Sequence, residues 1–261
     1  MNGGYQYIKV EQVERVVTIT FQREAKLNAM NSIMMSELTD CFQKLDEQID
    51  VLAIILTGCG KAFMAGADIE EYSGFDLGAF FAFQNKGRQM YRAIEECSKP
   101  VIAAVNGYAL GGGFEMVLAC DLVIASDRAK FGLPEINLGL VPGGGGVQKA
   151  LRAVGPYVAK EILMTGRFLL AEEARELRIV NRVAAPDQLL EEAMTMAKDI
   201  ARKAPLAVQG LKKLVNEGRD ASLESAQAYD RAYLANLFYS ADAKEGISAF
   251  VEKRPPVFKG K

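Results

Sequence analysis

"KPVIAAVNGYALGGGFEM", residues 99–116, runs from a block of apolar residues into three consecutive glycines and then a glutamate. Its first half reads as a strand buried on both faces, because the apolar residues are consecutive rather than alternating. A second such run, "VLAIILTG" at residues 51–58, is too short for a helix and is closed by Gly58 and Gly60. Between the two, Phe80, Phe83, Tyr91 and Ile94 recur at helical spacing. Strand, helix and strand in succession predict a layered α/β core with mainly parallel strands.

The pattern extends in both directions. Near the N-terminus, "YIKVEQVERVVTITF" alternates apolar and polar residues around a Glu-Arg turn, which predicts a hairpin. Met34, Leu38, Phe42, Leu45 and Ile49 then predict a helix over residues 32–49, with Asn31 or Ser32 as its cap. Beyond about Gly143 the strand signal fades, and residues 145–252 read as mostly helical. No Ser, Gly or Pro tract separates the two parts, so one continuous fold with a helical C-terminal region is expected.

Composition excludes several chemistries. The 261 residues contain no histidine, which removes Ser-His-Asp and Cys-His nucleophiles and every histidine-ligated metal site. Cys41, Cys59, Cys97 and Cys120 lack C-x-x-C spacing and read as free thiols of a reducing cytoplasm. A formal net charge of -2 gives no global attraction to nucleic acid or an anionic membrane. The longest apolar stretch, about residues 101–125, is broken by Asn106, Glu115, Asp121 and glycines, which is poor material for a spanning helix. The N-terminal "MNGGYQYIKVEQVERV" has no apolar core of a signal peptide, so a cytoplasmic location is expected.

Gly111, Gly112 and Gly113 stand where a strand passes into a short helix, and orphan N–H groups are exposed there. Such a loop either binds an anion, or a carbonyl oxygen that becomes negative during reaction, or is simply a tight turn. "VPGGGGVQK" further on carries the same ambiguity. Glu115 falls in the first turn of the expected helix, where the dipole favours its charged form. Glu135, in "FGLPEINLGLVPGGGG", lies among apolar residues that favour its protonated form. One ionised and one protonated carboxylate make a base and an acid, although each taken singly reads as a surface residue or ion-pair partner.

The segment "KPVIAAVNGYALGGGFEMVLACDLVIASDRAKFGLPEINLGLVPGGGG", with "KAFMAGADIEE" upstream, resembles the signature region of the crotonase, or enoyl-CoA hydratase, superfamily. The resemblance runs from "LNAMN" through "TGRFLLAEEARELRIVNRV" to "EGISAFVEKRPPVFKGK". It implies a spiral of ββα units over residues 1–195 and a helical C-terminal trimerisation region over residues 196–261, assembled as a homotrimer or homohexamer. It also implies an oxyanion hole from the N–H groups of Ala67 and Gly112, and catalytic roles for Glu115 and Glu135 in adding water to a trans-2-enoyl-CoA. Coenzyme A would be part of the substrate, held along Ala65, Ala67, Asp68 and Ile69 with Lys26 near a phosphate, and no cofactor, metal, nucleic acid or membrane partner is implied. Alternatives are double-bond isomerisation or another crotonase-type reaction, or a non-catalytic protein binding coenzyme A or RNA.

Phe80, Phe83 and Met90 are candidates for an acyl pocket, with core packing the default reading. The basic tail "EKRPPVFKGK" is expected to be a solvated terminus. Phe114 and Met64 replace residues that are usually smaller in the resembling family, which leaves the acyl preference open.

Overall fold

The computed structural model describes residues 4–261. A hairpin of β1 (Ile8–Val13) and β2 (Val16–Phe21) opens the chain as expected, followed by α1 (Ser32–Glu47). The Asn31 side chain caps α1 by accepting the Met34 N–H at 2.9 Å. The helix ends two residues short of the expected Ile49, which is exposed, because Val51 and Leu52 must already be extended to enter the sheet.

Three turns of strand, strand and helix follow. The first comprises β3 (Ala53–Gly58), β4 (Ala62–Met64), the short α2 (Ile69–Tyr72) and α3 (Leu77–Glu96). The second comprises β5 (Val101–Val105), β6 (Tyr108–Leu110) and α4 (Gly112–Val117). The third comprises β7 (Leu122–Ser126), β8 (Lys130–Gly132), a 3-10 turn over Pro134–Leu138 and α5 (Gly146–Thr165). Each turn gives its first strand to a six-stranded sheet ordered β1-β2-β3-β5-β7-β10 and its second to a four-stranded sheet ordered β4-β6-β8-β9. The closing elements are β9 (Leu169–Leu170), α6 (Ala171–Glu176), β10 (Arg182–Ala184) and α7 (Leu189–Ala201). Helices α8 (Pro205–Gly218), α9 (Leu223–Phe238) and α10 (Ala241–Glu252) form the C-terminal region.

The consecutive apolar residues of β3 and β5 have a direct cause. Ile54, Leu56, Val101 and Ala103 face the main core with α1 and α3, while Ala53, Ile55, Ile102 and Ala104 face Leu189, Ala193 and Ala197 of α7. Both faces of the large sheet are covered, so neither face has positions for polar residues. Helix α7 thus belongs to the layered core, and the expected division after residue 195 falls inside it.

The C-terminal tail is largely exposed, as expected, but it is not loose. It folds back on α10, where the buried Asp242 carboxylate accepts the N–H groups of Lys259 and Gly260 at 2.7 Å each. Arg254 pairs with Glu245, whose carboxylate also takes the Val257 N–H. The tail is thus solvated and tied to α10 at once.

Candidate active site

Strands β4, β6 and β8 are parallel, so their C-terminal ends share one edge of the small sheet. Residues 65–67 follow β4, residues 111–112 follow β6 and residues 133–135 follow β8, which is where open α/β sheets leave room for a ligand. The cavity there has a volume of about 190 Å³ and is lined by Ala67, Gly112, Glu115 and Glu135 among others.

Two N–H groups in this cavity are unused. A parallel bridge to Met30 flanks Ala67, with Met30 N–H donating to Gly66 O and Asp68 N–H to Met30 O, 2.8 Å each. The Ala67 N–H itself has no protein acceptor among the described residues. Gly112 is the first residue of α4, so its N–H is one that the helix cannot satisfy. A Cβ added to Gly112 would stand 3.7 Å from the Ala67 nitrogen, so the two residues adjoin in the cavity.

Gly111 and Gly113 show why this turn is so bare. Gly111 has φ +50° and ψ -123°, a conformation that a side chain disfavours. A Cβ on Gly113 would lie 1.9 Å from Met64 O, so only glycine lets α4 approach β4 this closely.

Glu115 is buried, at 4% exposure. Its Oε1 accepts the N–H groups of Gly144 and Gly146 at 2.8 Å each, at the N-terminus of α5. Burial pushes its pKa above the usual carboxylate value, while those two N–H groups, the Lys149 ammonium and Tyr91 act in the opposite direction. The expected support of the charge by the α4 dipole is therefore not the main influence on Glu115. Desolvation is the larger effect, and the groups that favour the charge come chiefly from the start of α5.

Glu135 stands in the 3-10 turn behind Pro134, with its Oε1 3.1 Å from where a Cβ on Gly111 would be. Its Oε2 is buried without a hydrogen bond among the described residues. Burial pushes its pKa up to about 7; its own backbone N–H counteracts this and the charge of Glu115 adds to it. The expected protonated tendency of Glu135 is thus present in the structure.

The family model for enoyl-CoA hydratase/isomerase matches residues 11–261. The chain belongs to the enoyl-CoA hydratase/isomerase family. It is 43% identical over 256 residues to a probable enoyl-CoA hydratase of Rhizobium meliloti, covering 98% of this chain and 99% of that one. It is 39% identical over 246 residues to a short-chain-enoyl-CoA hydratase of Clostridium acetobutylicum, covering 94% of each. Among solved structures, an enoyl-CoA hydratase from Bacillus anthracis superposes with a TM-score of 0.95 at 36% identity, covering 98% of this chain and 100% of that one. The ββα spiral with its helical C-terminal region is the crotonase fold of these enoyl-CoA hydratases.

In this member of the enoyl-CoA hydratase/isomerase family the expected coenzyme A residues divide into two groups. Ala65, Ala67 and Ile69 line the cavity. Asp68 is turned away as the N-cap of α2 and pairs with Arg23 at 2.6 Å, and its backbone N–H is held by Met30 O. Lys26 pairs with Glu70 at 2.7 Å on the exposed rim. Of the acyl-pocket candidates, Phe80 and Phe83 reach the cavity, whereas Met90 is buried in the main core. Phe114 packs on Phe131 with ring centroids 5.4 Å apart, and Met64 is fully buried in the same core, so neither bulky departure reshapes the cavity wall.

Gly144, Gly146, Lys149 and Tyr91 were not legible as site residues. The run "GGGGVQK" was ambiguous between a turn and an anion-binding loop, and Tyr91 matched the apolar face of its helix.

Proposed function

We propose that the protein is an enoyl-CoA hydratase that adds water reversibly across the double bond of a trans-2-enoyl-CoA, giving 3-hydroxyacyl-CoA. The observation that carries this reading is one cavity lined by two carboxylates of different environment beside two unused N–H groups. Glu115 takes a proton from water as the water oxygen bonds to C3. The C2–C3 π electrons move toward the thioester oxygen, where the N–H groups of Ala67 and Gly112 hold the developing charge. Glu135 then gives its proton to C2. Addition leaves a proton on Glu115 and none on Glu135, and solvent resets the pair.

Magnitudes are adequate for the task. A single oxyanion donor contributes about 2.7–4 kcal/mol, and a positioned acid or base about 10²- to 10⁴-fold. The reaction is redox-neutral, and coenzyme A arrives with the substrate, so the proposed chemistry calls on no further cofactor. A cavity of about 190 Å³ with Phe80 and Phe83 in its wall suits a short acyl group. The same reading has coenzyme A run along Ala65, Ala67 and Ile69, past the engaged Asp68, with Lys26 exchanging Glu70 for a phosphate.

The free thiols of Cys41, Cys59, Cys97 and Cys120 suit the reducing cytoplasm. No helix among the described residues is long and apolar enough to cross a membrane. A homotrimer or homohexamer would cover the exposed Leu234, Phe238, Phe250 and Val251 of α9 and α10. Sedimentation as three or six chains is expected, and a monomer would remove this assignment.

The test of function is the loss of enoyl-thioester absorbance from crotonyl-CoA, with the product identified by mass. A gain of one water is expected. Inertness toward crotonyl-CoA and toward longer and branched enoyl-CoAs would refute the hydratase reading.

A further inference from the structure

The chemistry proposed above leaves a buried side chain of the cavity that carries a hydroxyl, Tyr91 on α3, without a role. Its hydroxyl donates to Gly112 O at 2.9 Å. It therefore restrains the residue that adjoins Ala67 in the cavity. The ring lies against Gly144, where an added Cβ would come within 2.2 Å of the ring Cε2. Gly144 in turn supplies one of the two N–H groups that hold Glu115. One rigid side chain thus touches both halves of the site.

The ring is itself fixed from α5. The Lys149 ammonium lies 5.4 Å from its centroid and is paired with Glu95, one turn further along α3. A phenol has few rotatable bonds and a directed donor, which suits it to setting a distance. Burial, with the neighbouring carboxylates, pushes its own pKa well above the ordinary value, so the hydroxyl stays protonated and keeps donating.

We propose that Tyr91 is a positioning residue that sets the separation between the oxyanion donor at Gly112 and the general base Glu115. The hydroxyl fixes Gly112, and the ring fixes Gly144, whose N–H donates to the Glu115 carboxylate. The inference rests on the hydratase reading, in which C1 and C3 of the substrate must meet those two groups at once. Small misplacements of either are costly to turnover but not to binding of the coenzyme A part.

Tyr91 also has an electrostatic signature. Glu115 is faced by Tyr91 from α3, by Lys149 from α5 and by Glu135 from the 3-10 turn, with Glu95 beyond Lys149. The hydroxyl proton is committed to Gly112 O, so Tyr91 acts on Glu115 through the Gly144 N–H against its ring, which favours the ionised carboxylate. Freeing the ring slackens that bond, which raises the pKa of the base and moves the acidic limb of the kcat/KM profile to higher pH.

The test is Tyr91→Phe, which keeps the ring and deletes the donor, assayed with crotonyl-CoA from acid to alkaline pH. The expected result is a fall in kcat of about tenfold, KM within about twofold of wild type, and the shifted acidic limb. Thermal melting checks the fold, and if the Phe variant does not fold, Tyr91→Met is read by the same criteria. Unchanged kcat overturns the proposal, as does a fall in kcat with the limb unmoved, which marks a merely structural side chain. An active wild type with an unaltered Phe variant removes the role of Tyr91 alone, whereas an inert wild type brings down the hydratase reading and this inference together.

Discussion

Glu115 accepts two backbone N–H groups at the start of α5, whereas Oε2 of Glu135 is buried with no donor among the described residues. Desolvation raises the pKa of both, but only Glu115 has backbone donors from α5 that favour its charge. Glu135→Gln is expected to lower turnover about 10²- to 10⁴-fold with affinity for a saturated acyl-CoA retained, measured by steady-state kinetics and calorimetric titration. Unchanged turnover would take Glu135 out of the mechanism. In the hydration direction Glu135 must be protonated, so wild-type kcat/KM should decline as pH rises through about 7. The same residue carries a stability signature. Its folded-state pKa of about 7 lies above the ordinary 4.5, so the unfolded chain binds fewer protons between those values and stability falls across that window. Glu135→Gln lacks this loss, and should melt higher than wild type at pH 8 but equally at pH 4. A difference that persists at pH 4 would point to another cause.

At the scale of elements, α4 and β4 meet through backbone rather than side chains, at the contact between Gly113 and Met64 O. Gly113→Ala must separate the helix from the strand and with it shift the neighbouring Gly112 donor. The expected cost is about 1–3 kcal/mol, seen as a lower midpoint in denaturant unfolding, and an unchanged midpoint would show that the two elements slide apart freely. The sequence marked this junction well, because three adjacent glycines after a buried strand have few structural explanations. It marked the end of α1 poorly. Ile49 continues the helical spacing, but the demand that Val51 be extended beside the sheet comes from elsewhere in the chain. Met90 and Phe83 share a similar ambiguity: both recur at helical spacing, yet only Phe83 reaches the cavity.

For the molecule as a whole, the spiral repeats one instruction three times, and the repeat turns distant segments into neighbours. Residues near 66, 112 and 135 converge because each follows a strand of the same small parallel sheet. The C-terminal tail is tied into this body by Asp242, whose buried carboxylate would lose both of its backbone donors if the tail left. Asp242→Ala should destabilise the protein by about 1–3 kcal/mol and speed hydrogen exchange at Lys259 and Gly260. Exchange as slow as in wild type would mean that the tail is held by other contacts.

The amino-acid sequence by itself determined the layered α/β class, the buried parallel strands, the bare glycine turn and both candidate glutamates. These are legible because they are local: an apolar run, a cap, a conformation open to glycine or a charge beside a helix start each leaves its mark within a few residues. Only the tertiary structure decided that Glu115 and Glu135 share a cavity, that the N-terminus of α5 holds one of them, and that Tyr91 spans the two halves of the site. Those relations depend on the register of the small sheet and on desolvation by segments tens of residues away, and neither leaves a mark in the spacing of the residues concerned.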